Sequence, residues 1–381
     1  MQTNQHLLTS SRFLPLFIVQ FLGAFNDNIF KNAFVMLLTF KLAKILGWET
    51  STAISLVMVF FLFPSIVLSA IGGQLADKFE KAKLIQYTKL GEVGIMILAA
   101  IGFWMENPYI LMGGIFLTGV QIAIFGPLKY GILPSHLKES ELLKGSGLIE
   151  SATFVAILIG TILGGISLAE TKEIAGWLPW AIITIALLGY VVSFKIPKSL
   201  PSGKLEMNWN ALTATKTILA SARPQIGIWR SMLGLSWFWT VGSIWLAFIP
   251  TFTEKNLHAT NTTATIFIAI FSIGIGLGAA ACQKLQNGEI SAKLVPLAGL
   301  AISAFTILFV VTQQVPGQFS FTSVKGILTC VCLLGIAIAS GIFSVPLYTL
   351  IQAWSDPAHT SRNIAANNIL NGIFMVAGME Q

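Results

Sequence analysis

Asp27 and Lys129 are ionisable residues set in strongly apolar sequence. Asp27 lies in Phe25-Asn26-Asp27-Asn28-Ile29-Phe30-Lys31, enclosed by apolar residues on both sides, and Lys129 ends the run Gln121-Ile-Ala-Ile-Phe-Gly-Pro-Leu-Lys129. A charge at bilayer depth costs at least roughly 2.5–3.5 kcal/mol on insertion scales, so it faces a polar pathway or a partner. Asp27 and Lys31 are spaced i,i+4, on one helix face. A carboxylate there can pair an amine of a substrate or the lysine itself, while Asn26 and Asn28 can donate and accept hydrogen bonds with ester and hydroxyl groups. Lys129 follows a Gly126-Pro127 break, tolerable only beside protein or a wet cavity. Its ammonium can attract a phosphate as a point charge, and Tyr130 adds a hydroxyl. The other reading of Lys129 is a permanent pair with Asp27 or Glu150.

The remaining ionisable residues are less specific. Glu150 is deep enough to gate one side of a pathway. Glu92 lies near the end of its apolar run and reads as structural, toward a loop. Arg230 begins an apolar run and mirrors Arg12; it suits either an inner-leaflet phosphate or a topological anchor. Trp229, Trp237, Trp239 and Trp245 crowd one run, as an interfacial belt or as surface for an acyl chain. No His, Cys and carboxylate spacing suggests a metal, and no nucleophilic triad or phosphate-binding loop is present, so neither a cofactor nor an enzyme activity is expected.

These residues must be positioned by membrane helices. The chain has 381 residues, is 55% hydrophobic and 10% charged, and has a mean hydropathy of +0.78. Runs long enough to cross a roughly 30 Å hydrocarbon layer recur at about 13–42, 51–76, 83–105, 108–134, 142–169, 177–195, 229–253, 261–285, 292–312, 325–353 and 363–379. An all-α polytopic membrane protein follows. Cys282, Cys330 and Cys332 all lie in apolar runs, so no disulfide framework is indicated. The net charge of +7 is distributed by topology rather than as a nucleic-acid surface. Arg12, Lys78, Lys81, Lys83, Lys89, Lys138, Lys144, the linker cations from Lys195 to Arg230, Lys284, Lys293 and Arg362 fall on one side. Lys41, Lys44, Lys172, Lys255 and Lys325 fall on the other, which predicts a cytoplasmic N-terminus.

The two halves echo each other. Ile124-Phe125-Gly-Pro127-Leu128-Lys129-Tyr130 parallels Ile342-Phe343-Ser-Val-Pro346-Leu347-Tyr348, and Gly147-Leu-Ile-Glu150 parallels Asn368-Ile-Leu-Asn371, six spans apart. Parallel repeats of this kind are the plan of major facilitator transporters, whose first, fourth, seventh and tenth spans line a central cavity. Gly73-Gln-Leu-Ala-Asp77-Lys78-Phe-Glu80-Lys81 resembles the loop motif of that superfamily between spans two and three, with Glu80 where the general pattern has glycine. Gly73 permits close helix approach, and Asp77 can pair a cation or cap a helix N-terminus.

Three segments together narrow the resemblance: Gln20-Phe-Leu-Gly-Ala-Phe-Asn26-Asp27-Asn28-Ile-Phe-Lys31, Gln74-Leu-Ala-Asp77-Lys78-Phe-Glu80-Lys81, and Phe125-Gly-Pro-Leu-Lys129-Tyr130-Gly131. They resemble the bacterial lysophospholipid transporter family, in which Glu80 is ordinary; the match is dense over residues 13–165 and thin afterwards. The resemblance implies a major facilitator fold with two pseudo-symmetric bundles, residues 1–195 and 229–381, joined by a cytoplasmic basic linker at 196–228. It implies twelve spans in a bacterial inner membrane, where the apolar runs supply about eleven and leave the second bundle without its last helix. It implies transport of lysophosphatidylethanolamine and lysophosphatidylglycerol to the cytoplasmic leaflet, where an acyltransferase–acyl-carrier-protein synthetase re-acylates them. An exporter of drugs, siderophores or other amphiphiles, and a non-transporting scaffold for an acyltransferase, are the alternatives.

Overall fold

Within hydrocarbon the backbone can satisfy its polar groups only in helices or closed barrels, and the apolar runs of this chain fold as helices. The computed structural model describes residues 7–168, 174–199, 201, 206–316 and 318–379, so Lys172 and Lys204 lie outside the described residues. The first bundle contains α1 (Leu14–Leu37), α2 (Thr50–Lys78), α3 (Lys81–Trp104), α4 (Pro108–Gly131), α5 (Glu139–Ile166) and α6 (Trp177–Ser193). A linker helix α7 (Ala211–Ala222) leads to α8 (Ile226–Lys255), α9 (Asn261–Leu285), α10 (Leu294–Gln313), α11 (Val324–Trp354) and α12 (Thr360–Met379). Eleven of these are long, and each coincides with one expected span to within a few residues; eight are long and apolar enough to cross a membrane by length and composition.

Local chemistry sets the ends. Pro108 opens α4 behind the Asn107 side chain, which accepts from the Tyr109 and Ile110 amides at 3.0 and 3.2 Å. That arrangement satisfies otherwise orphaned donors. The linker is more ordered than its basic composition suggests. Asn210 caps α7 through the Leu212 and Thr213 amides, and Ala214, Ile218 and Ala222 bury one stripe against α2 and α12. The i,i+4 spacing of those three residues was the available signal. The expected loop motif is also largely helical: Gly73 to Lys78 complete α2, leaving only Phe79 and Glu80 between α2 and α3.

Within the first bundle α1 packs on α5 and α6, α2 on α4, and α3 on α4 and α6. In the second, α11 is central and contacts α8, α9 and α10, while α12 packs on α8. The bundles join through α2 with α12 and α5 with α9, pairs in equivalent positions of the repeat. The face carrying α7 is called the linker face below.

Close approach of α1 to α5 depends on two glycines. A Cβ on Gly160 would stand 2.7 Å from the Phe25 carbonyl oxygen, and one on Gly164 would stand 2.7 Å from that of Ile29. Backbone cannot yield there as a side-chain tip could. Gly165, one residue on, has nothing within 4 Å of such a position. Gly160→Ala or Gly164→Ala should therefore cost about 1–3 kcal/mol through overpacking, with Gly165→Ala within about 0.5 kcal/mol of the parent. Thermal unfolding in detergent checks this, and equal losses at all three positions would contradict the packing.

Candidate functional site

Asn26, Asp27 and Asn28 are consecutive, so they point in three directions about 100° apart. The Asn26 amide is fully buried and donates to the Ile182 carbonyl of α6 at 2.9 Å, which makes it a tie between α1 and α6. Asn28 donates to Ala24 of its own helix at 2.8 Å, and its Cβ packs on Gly160 of α5. Asp27 is the one left for other work. It sits about 20 Å along α1 from Leu14, buried, with no hydrogen-bond partner for Oδ1 among the described residues.

The intrahelical Asp27–Lys31 pair allowed by the spacing does not form: among the described residues no cation lies within 4.0 Å of Asp27. Lys31 is half-buried and places its ammonium 5.0 Å from the Phe61 ring centre of α2.

Lys129 behaves likewise. It is half-buried, has neither Asp27 nor Glu150 within ion-pair distance, and holds its ammonium 5.0 Å from the Tyr130 ring centre. The permanent pair considered for Lys129 is absent from this conformation. Beside it the Tyr130 hydroxyl donates to Glu150 Oε2 at 2.6 Å, and Glu150 Oε1 has no hydrogen-bond partner. Tyr130 stacks on Tyr348 of the other bundle, with centroids 4.5 Å apart and planes 11° from parallel. Trp239 Nε1 donates to the Tyr348 hydroxyl at 2.8 Å, and the Trp239 ring stacks on Phe154. Trp239 thus belongs to the junction between bundles rather than to an interfacial belt.

One residue stands elsewhere than its sequence context indicates. Glu92 does not face a loop. It is 1% exposed, pairs with Lys89 at 2.5 Å and accepts from Gln121 Nε2 at 3.0 Å. Lys89 passes against Gly23 of α1 and ends 4.7 Å from the Phe125 ring centre, so this pair lies inside the first bundle. Its i,i+3 spacing was the missed signal. Arg230 lies near the linker-face end of α8 and is exposed, not gathered with Asp27 and Lys129.

The motif around Gly73 joins the bundles at the linker face. Asp77 is fully buried and caps α12, accepting from the Ser361 amide at Oδ1 and the Arg362 amide at Oδ2, both at 3.0 Å. Arg362 Nε adds a pair at 3.9 Å. A Cβ on Gly73 would meet the Ser361 carbonyl and Ala365. Glu80 Oε1 accepts from the Ser199 amide and the Lys81 amide donates to Ser199 Oγ, tying the linker to α3. Lys81 is buried, whereas Lys78 lies 5.8 Å from the Phe79 ring centre.

Across the other junction, Ser146 exchanges hydrogen bonds with Gln352, and Ser151 donates to the Gly276 carbonyl at 2.7 Å. These contacts run from the linker face to about mid-depth, ending near Ile66 against Gly372 and Ser151 against Gly276. One turn further along the same faces, Phe63, Val155 and Val376 are exposed. Among the described residues, the contacts named between the bundles lie between the linker face and about mid-depth, where Phe154 of α5 still stacks on Trp239 of α8. A wide depression of about 790 Å³ between Lys138–Ser140 and Gly288–Lys293 lies outside this group, on the linker face.

The Lys89–Glu92 pair generates a separate expectation. Removing one member, as in Glu92→Ala, strands a buried charge and should cost about 3–5 kcal/mol, while replacing both with apolar residues of similar volume should recover most of it. A double-mutant cycle on thermal unfolding checks this; additive losses would show that the two do not act as a pair.

A lysophospholipid transporter LplT of Escherichia coli (strain SE11) is 29% identical over 357 residues, spanning 91% of this chain and 81% of that protein, and its counterpart in Shigella boydii serotype 4 (strain Sb227) matches to the same extent. Among solved structures, the human organic anion transporter MFSD10 aligns with a TM-score of 0.72 at 12% identity, covering 97% of this chain and 91% of that one. The transporter FucP in its outward conformation aligns with a TM-score of 0.72 at 13% identity, covering 97% and 90%. The model of the Major Facilitator Superfamily matches residues 16–379, and the chain belongs to that superfamily.

Proposed function

We propose that this chain is a transporter that carries lysophospholipids across a bacterial inner membrane to the cytoplasmic leaflet by alternating access. The observation that carries the reading is the group of Asp27, Lys31 and Lys129, acidic and basic side chains held between helices with no ion-pair partner among the described residues. Buried charge is retained at such cost where something pairs with it. The phosphoethanolamine headgroup offers the complementary set, an anionic phosphate for the lysines and an ammonium for Asp27. A lysophosphatidylglycerol headgroup uses the lysines alone. Likeness to the lysophospholipid transporters supports the substrate class.

The chain's own residues divide the work. Lys129 and Lys31 draw the phosphate, Asp27 receives the amine, and Tyr130 holds Glu150 beside Lys129. Asn26 and Asn28 position α1. Arg230, at the linker face, serves phosphate arriving at or leaving the inner leaflet. The single acyl chain stays in lipid or between the bundles while the headgroup crosses. The excess of Lys and Arg at the linker face supports that face as cytoplasmic, with the N-terminus on the same side because Arg12 forms a bidentate pair with Glu141 and donates to the His136 carbonyl. In that orientation this conformation is closed toward the cytoplasm. Residues 1–195 and 229–381 rock as two bundles about the 196–228 linker. The chain acts without enzymatic chemistry of its own and hands lysolipid to an acyltransferase–acyl-carrier-protein synthetase.

The test is uptake of labelled lysophosphatidylethanolamine by cells lacking their own transporter. Lys129→Ala should lower uptake about tenfold or more, the loss of one charge-assisted contact of about 1.5–3 kcal/mol; unchanged uptake would remove Lys129 from the site. The Asp77 cap leads to a second outcome. Asp77→Ala removes a cap worth about 0.5–2 kcal/mol from the closed linker face and should raise the inward-open population roughly 2- to 30-fold. Distances between spin labels on α2 and α12 at that face read the shift, and an unaltered distribution would show that the cap does not hold the gate.

A further inference from the structure

The second bundle has a polar group of its own that the charged site does not use. Asn367 of α12 is fully buried, and among the described residues neither its Oδ1 nor its Nδ2 has a partner at hydrogen-bond distance. One helical turn away, Asn371 accepts from Ser236 Oγ of α8 at 3.0 Å. Buried amides left unpaired are few in native structures, and each calls for a reason. Packing is a poor one, since a leucine would fill the space without an orphaned donor and acceptor.

The repeat gives the group a meaning. Tyr130 and Tyr348 occupy matching positions and stack on one another, and Glu150 and Asn371 occupy matching positions one helix further on. The tyrosine of the first bundle donates to a carboxylate at 2.6 Å, while its counterpart accepts from the Trp239 indole at 2.8 Å, and the position matching Glu150 is an amide. The two bundles therefore present different chemistry to whatever lies at their junction: ionic on one side, neutral on the other. An amide offers an acceptor and donors together. Phosphate has no donor and ammonium no acceptor, so neither uses both; a hydroxyl does.

We infer that Asn367 and Asn371, with Ser236 and Tyr348, form an uncharged second half of the substrate site that binds a hydroxyl group of the lipid. This rests on the lysophospholipid reading above and deepens it. Loss of one acyl chain leaves a free glycerol hydroxyl, which is the feature that separates a lysophospholipid from its diacyl parent. A site built to hydrogen-bond a substrate hydroxyl rejects an analogue lacking it, because its own polar groups are then stranded. Asn367 is sealed in the present conformation and meets the lipid when the stacked tyrosines part. The charged half takes the headgroup, and the amide half selects the singly acylated molecule. A glycerol headgroup also carries hydroxyls, so the test must separate the two sources.

The experiment compares uptake of lysophosphatidylethanolamine, whose headgroup has no hydroxyl, with that of its analogue lacking the glycerol hydroxyl, in the parent chain, Asn367→Leu and Asn371→Leu. Lysophosphatidylglycerol is measured in parallel. The parent should favour the hydroxyl lipid about tenfold or more, one hydrogen bond's worth, and each variant should bring the ratio toward one. The ratio is independent of how much protein reaches the membrane. Equal uptake of both ethanolamine lipids by the parent, or variants that lower both in proportion, would overturn the inference while leaving the transporter reading intact. A loss confined to lysophosphatidylglycerol would assign the amides to headgroup hydroxyls and overturn the glycerol assignment. Uptake of no lysophospholipid by the parent would instead bring down the transporter reading itself.

Discussion

A charge inside a low-dielectric interior must be paired or wait for a partner, and the organisation of this protein follows from that constraint. Both solutions occur within the first bundle. Lys89 and Glu92 satisfy each other, with Gln121 completing the carboxylate and Phe125 facing the ammonium. Asp27, Lys31 and Lys129 are held apart instead. Asn26 and Asn28 hold α1 against α6 and α5, leaving Asp27 on the face that remains. A helix that carries a carboxylate to mid-depth thus needs close neighbours, and Gly160 and Gly164 allow the approach.

The same constraint shapes the junction between bundles. At the linker face Asp77 is buried, and the α12 N-terminus supplies the amides it requires, so the charge itself holds the two bundles together. Deeper in, contact passes to the stacked tyrosines, each braced from its own bundle by Glu150 or by Trp239. They sit within an apolar junction, where Leu143 packs against Ala279, Cys282 and Val345. Hydrogen bonds that can be exchanged one for another suit a contact that must open and reclose.

Much of this was legible in the sequence. Eleven apolar runs gave eleven long helices because span length is fixed by the bilayer, whatever the tertiary detail. Asp27 and Lys129 stood out because charge is expensive there, and the internal echo around Tyr130 and Tyr348 marked residues that meet in space. Other features depended on direction rather than composition. The neighbours Asn26, Asp27 and Asn28 read as one cluster until the helix separates them onto three faces. Glu92 read as a loop-side residue because its depth was judged from one end of its run, whereas its partner Lys89 lies one turn away and points inward. The orphaned amide of Asn367 was the least visible, since asparagine in an apolar helix looks alike whether bonded or not.

The central claim is that opposite charges are held unpaired to receive a zwitterionic headgroup. Its most direct test is the affinity of the purified protein for two lysophospholipids that differ only in the headgroup, ethanolamine against glycerol, with and without Asp27→Asn. If Asp27 receives the amine, the substitution weakens lysophosphatidylethanolamine by about tenfold or more and leaves lysophosphatidylglycerol nearly unchanged. Equal weakening of both lipids, or of neither, would contradict the account.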